Sequence, residues 1–205
     1  MTATPLDLMA ALHGLMSHAR NDHGVAGALE RWPNPAEEPA TPLAANTLPV
    51  LKGLPALPHP GPGAAGTAFD LVCTLAPSLP WRQSYDAADF GASFLDRYGW
   101  VMLAGDTGIF ASEKLLVTLL MLGPETLYPL HSHAPEEIYQ VIAGDVEITS
   151  GDRGTQPYRP GMTCHHPSWI SHALQTGKDP VLLLAVWKTG VYAKSRINSA
   201  PGMTK

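Results

Sequence analysis

The sequence predicts an α+β chain, mainly β, with helices first and an all-β body toward the C-terminus. Three observations carry this. Gly and Pro are 19 and 20 of 205 residues, about a fifth against a typical ~12%, which favours turns and short strands over a helical bundle. Leu8, Met9, Leu12, Leu15 and Met16 recur at three- and four-residue spacing, the period of one helix face. From about residue 112, short apolar runs alternate with turn residues, the texture of a sandwich or barrel.

The elements follow in order. Thr4 is placed to cap a first helix with Pro5 at its first position. A second short helix is expected over 22–32. Residues 33–66 hold Pro33, Pro35, Pro39, Pro42, Pro49, Pro55, Pro58, Pro60 and Pro62, so an extended strap over the domain is expected. DAADFGASFLDRY, about 86–98, reads as one more helix. KLLVTLLM at 114–121 and VLLLAVW at 181–187 read as buried strands. Residues 137–142 and 146–149 flank Ala143-Gly144-Asp145, a hairpin signal. Residues 150–160 read as a polar loop. We expect one domain over 1–205: a helical and proline-rich part to 110, a barrel core over 111–190 and a tail over 191–205.

Composition excludes several classes. Hydrophobic residues are 45% and charged residues 15%, so wholesale disorder is excluded. Thirteen basic against 18 acidic side chains, net −5, disfavour a nucleic-acid surface. No apolar stretch reaches ~18 residues, so no membrane span is expected. Cys73 and Cys164 match no CxxC spacing and read as small hydrophobes. The N-terminus lacks a signal-peptide pattern, and a cytoplasmic location is expected.

The chemistry concentrates in Tyr128-Pro129-Leu130-His131-Ser132-His133-Ala134-Pro135-Glu136-Glu137-Ile138-Tyr139. On an extended chain, residues two apart share a face. His131 pairs with His133 in this way, and Glu137 with Tyr139, while Glu136 faces the other side. Imidazole nitrogen and carboxylate oxygen together suit zinc, iron, manganese or nickel. A third nitrogen could come from the segment 164–172, which holds His165, His166 and His172.

His131, His133, Glu137 and Gly144 resemble the first cupin motif: HxH, three residues, Glu, six residues, Gly. Gly161, Pro167 and His172 resemble the second. Gly123 stands two residues too far upstream, Trp169 replaces the usual Gly, and Thr176 stands where Asn is common. Tyr128 and the Glu-x-Tyr of Glu137 and Tyr139, with His131, His133 and His172, resemble the cupin-type dimethylsulfoniopropionate (DMSP) lyases more narrowly.

The resemblance implies a C-terminal cupin barrel, a double-stranded β-helix or jelly roll, behind N-terminal helices. It implies one divalent transition metal (zinc, iron, manganese or nickel) held by His133, Glu137 and His172, with Tyr139 near or on it. His131 is either a ligand or a substrate contact. The implied reaction is β-elimination of DMSP to dimethyl sulfide and acrylate. Tyr139 is the candidate base; Tyr128 orients substrate or is a second acid/base group. Aromatic faces attract a fixed cation, so Trp187 and Trp169 are candidates for the sulfonium. His165 and His166 read as loop or surface residues. A small-molecule substrate and a monomer or homodimer are expected. The competing readings are a cupin dioxygenase or sugar isomerase, or a non-enzymatic ligand-binding cupin.

Overall fold

Helix α1 (Pro5–His18) starts where the sequence offers a cap. The Thr4 hydroxyl accepts from the Asp7 amide, and the Asp7 carboxylate accepts from the Thr4 amide. Leu8, Met9, Leu12, Leu15 and Met16 form its buried face, as expected. The computed structural model describes residues 2–34 and 40–198. Pro35, Pro39 and the tail beyond 198 therefore lie outside the described residues.

Helix α2 (Val25–Leu29) is shorter than the 22–32 expected, because the left-handed Gly24 holds the chain in a turn before it. The proline-rich stretch is not extended throughout. It contains a 3-10 helix, Pro49–Ala56, with Val50 and Leu54 buried. Helix α3 (Ala64–Leu75) follows, unforeseen because Gly63 and Gly66 punctuate its start; it buries Phe69, Val72 and Leu75. The single helix expected over 86–98 is two one-turn helices, α4 (Ala87–Phe90) and α5 (Ala92–Leu95), broken at Gly91. Strand β1 (Tyr98–Gly105) then begins. The sheet thus starts before the boundary expected at 111.

The remaining strands are β2 (Phe110–Ala111), β3 (Leu116–Leu122), β4 (Leu127–Ser132), β5 (Glu137–Ala143), β6 (Val146–Ser150), β7 (Thr155–Tyr158), β8 (Thr163–His166), β9 (His172–Thr176), β10 (Val181–Trp187) and β11 (Arg196–Ile197). They form a six-stranded sheet, β2-β1-β3-β10-β5-β8, and a five-stranded sheet, β11-β4-β9-β6-β7. Apart from the short β1–β2 pair, every pairing is antiparallel. This is the mainly β jelly-roll barrel behind N-terminal helices that the sequence predicts.

One sequence signal misleads. β5 and β6 do not form a hairpin: β5 pairs with β10 and β8, and β6 with β7 and β9. Gly144, at φ +80°, carries the chain from one sheet to the other, and a Cβ there would meet the Pro180 carbonyl oxygen at 2.3 Å. The loop expected over 150–160 contains β7.

Burial explains the apolar runs. The six-stranded sheet is covered on both faces, by α1 and α3 outside and the barrel interior inside. Its strands β1, β5 and β10 are therefore buried at every position. β6, on the other sheet, alternates Val146 and Ile148 inward with Glu147 outward.

Candidate metal centre and active-site cavity

His131 is the last residue but one of β4, His133 follows the strand, Glu137 opens β5 and His172 opens β9. The register sets His131 opposite His172. His131, His133 and His172 are all buried, and their ligand nitrogens lie within 4.8 Å of one another. His131 therefore belongs to the cluster, and it also lines the cavity beside it.

Backbone carbonyls set the three rings. Nδ1 of His131 donates to Pro129 at 2.8 Å, that of His133 to Pro135 at 2.8 Å and that of His172 to Ile170 at 3.0 Å. A carbonyl only accepts, so each Nδ1 carries a proton and each Nε2 is left for the interior, the usual arrangement behind metal-binding histidines. Glu137 Oε2 stands 3.1 Å from His133 Nε2 and 3.2 Å from His172 Nε2. His172 Nε2 has no hydrogen-bond partner. A carboxylate oxygen 3.1 and 3.2 Å from two imidazole Nε2 atoms in a buried site shares with them either a proton or a divalent cation.

The electrostatics agree. Burial pushes the Glu137 carboxyl up, but His133 and His172 pull it well below its ordinary value. Burial lowers the His133 imidazolium, and the Glu137 carboxylate outweighs that and raises it. The pair is thus poised to exchange a proton for a metal cation. Burial, aided by His172, lowers His131 to about 3, which keeps its ring neutral.

Tyr139, on β5, lines the cavity with Tyr128, Glu137 and Trp187. Burial, then the Glu137 carboxylate, pushes its phenol well above 10. Burial likewise raises Tyr128, whose hydroxyl lies 3.0 Å from that of Tyr85 and whose ring stacks on His131 at 4.2 Å. The Trp187 indole N–H donates to Glu137 Oε1 at 2.6 Å, and its ring lies 4.2 Å from that of His133. Trp187 thus also orients the carboxylate.

Two sequence expectations are corrected. Trp169 does not line the cavity: it is 48% exposed, and the Arg196 guanidinium lies 4.4 Å over its ring. Its φ of 62° explains why Gly is usual there. His166 is not a surface residue; it is fully buried on β8, and His165 is half-buried beside it. Glu136 does face outward, bonded to Lys188 and His165.

The sequence reading missed Trp100 and Tyr192. Both line the cavity, and Tyr192 stacks between Trp100 at 5.1 Å and Trp187 at 5.9 Å. Tyr98 and Trp100, two apart on β1, carried a usable period-2 signal, obscured by reading 86–98 as a helix. Nothing in the linear sequence brings Tyr192 to the site.

Known proteins share this architecture. The DMSP lyase of Ruegeria pomeroyi (strain ATCC 700808 / DSM 15171 / DSS-3), DddQ, is 30% identical over 182 residues, 89% of this chain and 88% of the relative. A chain from the crystal structures of the DMSP lyases RdDddP and RnDddQII superposes with a TM-score of 0.77 at 32% identity, over 93% of this chain and 98% of that one. The crystal structure of DddQ from Ruegeria pomeroyi DSS-3 superposes with a TM-score of 0.79 at 24% identity, over 93% and 95%, and shows the shared fold. The sequence profile of the DMSP lyases matches residues 29–183; the chain belongs to the dimethylsulfoniopropionate lyase family.

Proposed function

We propose that this chain is a metal-dependent carbon–sulfur lyase that cleaves DMSP to dimethyl sulfide and acrylate. The observation that carries the mechanism is the buried convergence of imidazole nitrogens and the Glu137 carboxylate beside a cavity lined by Tyr139. His131, His133, His172 and Glu137 would hold one divalent transition cation, of which zinc, iron, manganese and nickel suit the donor set. Such a cation supplies positive charge that binds the substrate carboxylate, stabilises charge developing at the α-carbon and lowers the neighbouring phenol.

The chain's own residues do the rest. Tyr139, as phenolate, takes the proton from the α-carbon. The C–H electron pair becomes the α–β double bond, and the C–S pair leaves with dimethyl sulfide. Tyr128, which also lines the cavity, orients the substrate, its hydroxyl held by Tyr85. Trp187 fixes Glu137 and offers, with Tyr192 and Trp100, an aromatic wall for the sulfonium. The aromatic wall and the neutral His131 ring give the substrate a largely desolvated site.

The test is headspace chromatography of dimethyl sulfide, with acrylate quantified in solution, for metal-loaded wild type and Tyr139→Phe. Wild type releases both products in equal amounts. Loss of the base lowers kcat by about 10²–10⁴ without loss of bound metal. Equal rates from both proteins remove Tyr139 as the base, and no product with any of the four metals sinks the lyase reading.

A further inference from the structure

His166 is used by none of these steps, yet it occupies a constrained place. It is fully buried, and in the register of β5 with β8 it stands opposite Glu137. It stacks face to face on His172, with centroids 4.1 Å apart and planes 17° from parallel. On another side, His131 meets His172 at 4.1 Å and 60°. The Tyr139 ring stands 5.4 Å from His166, nearly perpendicular.

Its Nδ1 meets a hydroxyl, where those of the other three rings meet carbonyls. His166 Nδ1 lies 2.9 Å from the Ser150 hydroxyl oxygen, which also accepts from the Arg153 guanidinium at 2.7 Å. Arg153 is anchored in turn on the His165 carbonyl. A guanidinium only donates, so the serine keeps its own proton, and His166 Nδ1 is the acceptor within its reach when the hydroxyl donates. A neutral His166 then carries its proton on Nε2, which has no hydrogen-bond partner. In that tautomer His166 keeps an N–H on Nε2, where the Nδ1–carbonyl bonds of His131, His133 and His172 free Nε2 for the cluster.

Resting on the metal-centre reading above, we infer that His166 is a positioning residue, locked by Ser150 and Arg153 as the Nε2–H tautomer, that clamps His172 by stacking without itself ligating the cation. In that tautomer Nε2 of His166 has no lone pair to offer, in keeping with a cluster of His131, His133 and His172. The stack closes off the side of His172 on which its ring would otherwise turn, and a metal ligand must hold its direction to within about 10–20°.

The test uses the full chain, ¹⁵N-labelled at histidine and loaded with zinc. Long-range ¹H–¹⁵N NMR should place the His166 proton on Nε2 and those of His131, His133 and His172 on Nδ1. Zinc affinity, by competition with a chromophoric chelator, should fall about tenfold in His166→Ala and stay within about threefold of wild type in His166→Phe, which keeps the stacked ring. A proton on Nδ1 of His166, wild-type affinity in the alanine variant, or a phenylalanine variant that binds as weakly as alanine each overturns the clamp. If the alanine variant does not fold, the tautomer and the phenylalanine affinity decide. A wild type that takes up no zinc, iron, manganese or nickel overturns the metal reading itself, and is told apart by that.

Discussion

Residues two apart on a strand face the same way, and that rule alone pairs His131 with His133 and Glu137 with Tyr139; all four are buried at one site. The rule does not reach Trp169. An aromatic ring within the second motif reads as a sulfonium contact, but the left-handed turn at φ 62° throws this side chain outward. Trp169→Gly should therefore leave kcat and KM within about two-fold of wild type. Relief of the left-handed strain, about 1–2 kcal/mol, is offset by the loss of the Arg196 contact, about 0.5–1 kcal/mol. Stability should thus move by no more than about 1.5 kcal/mol in a denaturant titration. A tenfold rise in KM would place Trp169 at the substrate after all. His166 is the reverse case. Two adjacent histidines before a proline look like a loop, whereas strand pairing with β5 buries the second of them.

The same glycine that completes the first motif decides how elements join. Gly144 follows β5 and precedes β6, and by local rules it makes a hairpin. The apolar residues of the two strands are equally compatible with pairing or parting, so local pattern has no means to choose. The Pro180 carbonyl and the Leu57 side chain, both distant in sequence, crowd the turn and leave room only for glycine. Gly144→Ala should cost at least about 2 kcal/mol, from a positive φ and a direct clash. Thermal melting should show a fall of about 5–10 °C. An unchanged Tm would mean that the crossing tolerates a side chain. Helix α1 shows the opposite balance: cap, first-position proline and apolar face all lie within one segment, and the helix is found where they put it.

At the scale of the whole molecule, the site joins β4, β5, β9 and β10 from both sheets with the segment after β10. A cation held there ties the two sheets together. At a free-metal concentration of about 100 times Kd, binding to the folded state alone adds about 2.7 kcal/mol. Chelation should abolish dimethyl sulfide release and lower Tm by about 5–10 °C, and re-addition of the metal should restore both. Activity that survives exhaustive chelation would remove the metal from the mechanism. No helix among the described residues is long and apolar enough to cross a membrane.

The sequence by itself determined the class of fold, the helix at the N-terminus, the buried strands and the group His131, His133, Glu137, Tyr139 and His172. All but His172 rest on periodicity or short spacing, which the chain carries locally; His172 is singled out by the resemblance to the second cupin motif. Only the tertiary structure decided that β5 and β6 part into different sheets, that the barrel begins at Tyr98, that Tyr192 and Trp100 wall the cavity, that Trp187 holds Glu137 and that His166 lies against His172. Those outcomes depend on which strands pair and which distant groups crowd a turn. Such contacts join residues tens of positions apart, and their energies exist only once the two sheets have closed on one another.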